Sequence, residues 1–175
     1  IDICLNFPYI FHMIEFFEHE SELCATTRGK FNTLSAQEAL PFVTKKEWYD
    51  CKSFFKTKHN IDLMTIVAEL VTPFTKVFVD YKNKKNVYIL AAYDMSGNKI
   101  ENSLLKNMSA FITKSRLPKS KKFTVKEIIK EVNRRDIDNN EGWVIDLNGM
   151  LVKFKYNNYI GMMVNSKMSY RYIMQ

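Results

Sequence analysis

Asn148-Gly149, set between Trp143–Leu147 and Leu151–Lys155, constrains this chain more than any other feature of its sequence. Asparagine and glycine tolerate the positive φ angles that tight hairpin turns demand, and apolar runs on both sides make a pair of antiparallel strands. Side chains alternate along a strand, so Lys153 and Lys155 project to one side and Val152 and Phe154 to the other, toward a core. Two neighbouring ammonium groups repel unless an anion lies between them, and a phosphate group is the natural candidate. The alternative is an ordinary amphipathic strand with a wet lysine face.

Glu141 opens the first strand, with Gly142 leaving backbone room beside it. Its orientation depends on the register. A two-residue loop pairs Val144 with Lys153 and turns Glu141 away from the lysines. A three-residue loop, Asn148-Gly149-Met150, pairs Ile145 with Lys153 and Trp143 with Lys155. A slip of one residue flips every side chain, so Glu141 then shares the lysine face. A carboxylate facing two lysines and a phosphate suits a magnesium ion, a hard cation that prefers carboxylate and phosphate oxygens. The sequence therefore predicts the three-residue loop, with a bulge at Gly149.

Ser35 and Glu38 form a capping-box pattern, so a helix is expected from Ala36. Lys45 to about Lys56 reads as a second helix with Trp48, Cys51 and Phe55 on one face. Leu63–Val71 is rich in β-branched and aliphatic residues and reads as a strand, which Pro73 ends or leaves at an edge. Within it Glu69 is costly to bury unless paired, so it either lines a pocket or faces outward. Val77–Tyr81 and Val87–Ala92 read as strands joined by a polar turn. Thr124 and Glu127 cap a helix reaching about Asn133. Between Leu104 and Lys122 the pattern is poor, and Lys114, Arg116, Lys119, Lys121 and Lys122 read as a solvated loop or an RNA contact. The stretch from Phe7 to Phe17 packs as either helix or strand. The expected class is α+β, with mostly antiparallel sheets flanked by helices.

Composition narrows the function classes. At 46% hydrophobic and 14% aromatic, the 175 residues can bury a real core. Cys4, Cys24 and Cys51 form no paired motif, which argues against a disulfide framework or zinc ribbon and fits a reducing cytosol. Nothing indicates that Cys24 and His19 form a catalytic pair. No apolar run is long enough for a membrane helix. Of the net charge of +7, residues 1–29 carry −4 and the remainder +11. A basic body fits a polyanionic partner such as RNA or a nucleotide, and also fits a lysine-rich protein with no such role.

Three segments, Ala68-Glu69-Leu70-Val71-Thr72-Pro73, Glu141-Gly142-Trp143-Val144 and Lys153-Phe154-Lys155 with trailing Tyr159, occur in the order of the motifs of covalent nucleotidyltransferases. Upstream, Thr27-Arg28-Gly29-Lys30-Phe31 and Ser35-Ala36-Gln37-Glu38-Ala39 look like that superfamily's basic-Gly segment and the short helix after it. The set, over residues 22–163, most resembles the ATP-dependent RNA ligases of T-even phages. The resemblance implies a nucleotidyltransferase core in which Lys153 and Lys155 contact the α-phosphate of ATP or AMP. Glu141 would help place Mg2+, Glu69 would lie beside the nucleoside, and Arg28 would be a basic nucleotide contact. The implied chemistry forms a lysyl-AMP, passes AMP to an RNA 5′-phosphate, and seals the strand with a 3′-hydroxyl.

Three departures stand out. Residues 1–29 contain no lysine, so the Lys-x-Asp-Gly nucleophile segment is missing. Tyr93 stands where the phage enzymes tend to have arginine. The chain ends at Gln175, which leaves no room for their helical carboxy-terminal domain. Residues 1–175 are thus expected as one domain, incomplete at the amino terminus, with residues 1–21 unassigned. The chain is either a fragment or a degenerate relative, and self-adenylation is not expected. Other readings are a non-catalytic nucleotide- or RNA-binding module, a DNA ligase or capping-type enzyme, and an unrelated basic α+β domain.

Overall fold

The computed structural model describes residues 3–6, 13–73, 82–134, 141–147 and 150–164. In chain order its elements are β1 (Ile3–Asn6), β2 (Met13–His19), β3 (Glu22–Thr27), β4 (Lys30–Phe31), α1 (Leu34–Ala39), α2 (Lys45–His59), β5 (Leu63–Val71) and β6 (Asn86–Asp94). There follow α3 (Leu105–Phe111), β7 (Ser115–Arg116), β8 (Lys119–Lys121), α4 (Val125–Val132), β9 (Gly142–Leu147), β10 (Met150–Lys155) and α5, residues 157–164. Backbone contacts divide them into two compact units, one from residues 1–9, 76–81 and 118–175, the other from 10–75 and 82–117.

The larger unit is built on a six-stranded sheet in the order β4-β3-β2-β5-β6-β7, antiparallel except for the parallel β6–β7 pair. Ile14, Phe16, Ile66, Ala68 and Ile89 line one face, where Trp48, Cys51 and Phe55 of α2 and Leu105, Met108 and Ile112 cover them. Fully burying one such large apolar side chain stabilises the fold by about 1.5–3 kcal/mol. α2 starts at a complete capping box between Thr44 and Glu47 and stops at Asn60, which takes the left-handed conformation. Glu47 Oε1 also accepts from the backbone N and Oγ1 of Thr113, at 3.0 and 2.7 Å, tying the helix start to the loop after α3.

The smaller unit carries a four-stranded sheet in the order β10-β9-β1-β8. β1 inserts between β9 and β8, and both pairings are antiparallel. Of the stretch from Phe7 to Phe17, residues 13–17 belong to strand β2, and the rest lies outside the described residues. α4, capped by Thr124 and Glu127 as expected, packs through Ile128 on Phe123, Trp143 and Ile145.

Several expectations need correction. The cap of α1 is Thr33, whose Oγ1 accepts from Ala36 N at 3.2 Å, so Ser35 lies inside the helix. The stretch from Leu104 to Lys122 is ordered as α3, β7 and β8. Leu105, Met108 and Ile112 form a helical stripe that is buried at no more than 5% exposure, and β8 is held by β1 from a distant part of the chain. The expected strand Val77–Tyr81 lies outside the described residues.

Candidate phosphate-binding site

β9 and β10 set the frame of the site. Leu147 pairs with Met150, Val144 with Lys153 and Gly142 with Lys155. This is the two-residue register, so the expected three-residue register is overturned; the proposed bulge at Gly149 lies outside the described residues. Strand parity places Val144, Lys153 and Lys155 on one face, and Trp143 and Ile145 on the other, under α4.

A regular ladder in this register would send Glu141 to the α4 side. The structure nevertheless puts its carboxylate between the lysines, with Lys153 Nζ 2.7 Å and Lys155 Nζ 2.8 Å from Oε1. Gly142 supplies the reason. Its φ of +148° is one that residues with a Cβ rarely adopt. The alternation breaks there, and Glu141, one residue outside β9, turns back across the strand. Its backbone stays tied to the hairpin, because Tyr156 N donates to Glu141 O at 2.9 Å.

The Glu141 side chain is fully buried, while those of Lys153 and Lys155 are 27% and 25% exposed. Both ammonium groups converge on Oε1 at the distance of charge-assisted contacts, while Oε2 is buried with no hydrogen-bond partner among the described residues. Lys155 is held on further sides by the Tyr159 ring, 4.8 Å from Nζ, and by Met163 Sδ at 3.5 Å. Burial and then the Glu141 charge push the Tyr159 phenol up to about 12. α5, which supplies Met163, was absent from the sequence expectations.

Two ammonium groups and one carboxylate leave one net positive charge in a half-open site, a match for a singly charged phosphate ester. The buried Oε2 of Glu141, which no lysine reaches, fits a divalent cation as well, although the two ammonium groups on Oε1 compete for the carboxylate. Among the described residues no three His, Cys, Asp or Glu side chains cluster as a metal site. A magnesium-like ion would therefore draw its remaining ligands from phosphate and water.

Glu69 and Arg28 belong to the other unit. Glu69 is 3% exposed and sits on β5, between β2 and β6, so the outward-facing edge reading is overturned. It pairs with Met13 and Tyr88, on the sheet face opposite the Ile14–Ala68 core face. Tyr93, opposite Thr65, shares the Glu69 face. Farther along the same face is a hollow of about 610 Å³ lined by Glu15, Phe17, Thr26, Phe31, Thr65 and Met95. Arg28 is exposed at the β3–β4 turn, beside Gly29 at φ +82°. It follows Thr27, which aligns with Ile14 and then Ala68, and so lies level with Glu69 two strands away, roughly 10 Å.

No protein-family model and no curated protein matches the chain. Among solved structures it is similar to an RNA ligase of Naegleria gruberi, a lysine-to-alanine variant with ATP and manganese, at a TM-score of 0.62 and 12% identity. The match covers 92% of this chain and 51% of that one, so the chain spans about half the length of the ligase. The chain shares the fold of the matched part of that RNA ligase. Its mainly antiparallel sheets with flanking helices are the α+β architecture expected from the sequence. No helix among the described residues is long and apolar enough to cross a membrane.

Proposed function

We propose that this chain is the nucleotide-binding core of an ATP-dependent RNA ligase of the phage-like type, acting in RNA end joining or repair. The observation that carries this reading is Glu141 held between Lys153 and Lys155 at 2.7 and 2.8 Å on a nucleotidyltransferase fold. In this reading Lys153 and Lys155 hold the α-phosphate of ATP or AMP, and Glu141 helps place Mg2+. Magnesium, when bound, supplies charge stabilisation to the transferring phosphoryl group. Glu69 lies beside the nucleoside and Arg28 contacts the nucleotide. RNA bearing a 5′-phosphate is the acceptor of the adenylate.

A second reading, a nucleotide- or RNA-binding module that forms no covalent adduct, is favoured by one feature. Residues 1–29 carry no lysine, and no Lys-x-Asp-Gly segment occurs in the chain. Both readings require the phosphate pocket.

Calorimetry of ATP binding with magnesium tests the pocket, comparing the chain with its Lys153→Ala/Lys155→Ala variant. Losing two charge-assisted contacts is expected to weaken binding on the order of a hundredfold. Equal affinity in the two proteins, or no binding in the unsubstituted chain, overturns the proposal.

A further inference from the structure

We infer that Glu131 is a positioning residue for the Glu141–Lys155 pair, acting through Tyr156 and Trp143; the inference rests on the proposed nucleotide-binding role of that pair. Glu131 lies on α4 one turn beyond Ile128, the residue that docks the helix on the sheet. Its side chain is 17% exposed. Tyr156 Oη donates to Glu131 Oε1 at 2.6 Å. Trp143 Nε1 stands 2.6 Å from Tyr156 Oη and 3.2 Å from the same Glu131 oxygen. A single carboxylate thus ties both polar aromatic groups to the helix.

These two aromatics bracket the point at which the site is made. Trp143 follows Gly142, whose φ of +148° sends Glu141 back to the lysines. Tyr156 follows Lys155, and its backbone N donates to Glu141 O at 2.9 Å. Strand parity places Trp143 and Tyr156 on the α4 side and Lys155 on the site side. Glycine is the most permissive residue in backbone conformation, so Gly142 by itself holds Glu141 in no particular direction. The bonds from Trp143 and Tyr156 to Glu131 fix the chain on both sides of that glycine. Buried Tyr and Trp need such partners, and an ionised acceptor makes the stronger bond.

The test compares the unsubstituted chain, Tyr156→Phe, Glu131→Gln and the double variant. Tyr156→Phe deletes one hydroxyl and keeps both the ring and the backbone N–H to Glu141, so it decides the question if Glu131→Gln fails to fold. AMP affinity is read by calorimetry, thermal melting confirms folding, and heteronuclear NMR reads the Lys153 and Lys155 ammonium groups. Each folded single variant is expected to lose AMP affinity on the order of tenfold and to shift the Lys155 ammonium signal. The double variant is expected to be no worse than the weaker single, because the two residues act as one unit. Unchanged affinity in folded variants, or fully additive losses, overturns the inference. If the unsubstituted chain binds no AMP, the proposed function fails and the NMR readout decides: a Lys155 signal moved in the variants supports the inference, and an unmoved one overturns it.

Discussion

Glu141 Oε1 stands 2.7 Å from Lys153 Nζ, although the β9–β10 ladder, continued one residue to Glu141, would assign the two to opposite faces. The contact exists because Gly142 takes a φ of +148° and interrupts the alternation between them. The site therefore depends on one backbone angle as much as on three charged side chains.

Gly142→Ala is expected to force that angle toward ordinary strand values. The cost is about 1–3 kcal/mol if the native conformation persists. If it relaxes instead, Glu141 swings toward α4 and the lysines lose their counter-ion. Chemical denaturation together with ATP calorimetry reads both effects, and a variant matching the unsubstituted chain in both would remove Gly142 from the account.

Glu141→Gln is expected to change two affinities in opposite directions. The site gains one unit of positive charge, so inorganic phosphate should bind more tightly. The carboxylate that helps place a divalent cation is lost, so magnesium should no longer strengthen ATP binding. Calorimetry with and without magnesium separates the two, and weaker phosphate binding would contradict the charge count.

Incubation with ATP and magnesium is expected to leave the mass of the intact chain unchanged, since residues 1–29 offer no lysine and no Lys-x-Asp-Gly segment occurs. Appearance of an AMP adduct would show that a lysine elsewhere serves as nucleophile.

Acid should weaken the fold partly through Glu47. Burial raises its carboxyl pKa, but hydrogen bonds from Thr44 and Thr113 outweigh burial and hold it at about 2 against an ordinary 4.5. The folded pKa is depressed, so the stabilisation is complete above 4.5 and is lost as pH falls toward 2. Glu47→Gln is expected to flatten the stability profile across that window and to cost about 1–2 kcal/mol near neutrality. A profile as steep as that of the unsubstituted chain would assign the acid sensitivity elsewhere.

Several local signals in the sequence correspond to elements of the fold. α2 carries its stripe of Trp48, Cys51 and Phe55, and the Thr124–Glu127 capping box of α4 forms, whereas the Thr44–Glu47 box of α2 was not among the expectations. β5 spans Leu63–Val71 as expected, and β9 and β10 flank Asn148-Gly149. α3 is not legible in the sequence because Lys106, Asn107 and Ser109 dilute a short apolar stripe. β8 is not legible because its partner is β1, more than a hundred residues away in sequence.

The sequence by itself determined the α+β class, the hairpin and the shared face of Lys153 and Lys155, since each follows from periodicity within a few residues. Only the tertiary structure decided the register and the direction of Glu141. The hairpin pairs Val144 with Lys153, the arrangement expected to turn Glu141 away. A glycine angle, held between a backbone bond to Tyr156 and the packing of α4, returns it to the lysines. Strand alternation can be read from sequence order, but a break in it is set by contacts between distant elements, and only the folded chain supplies those.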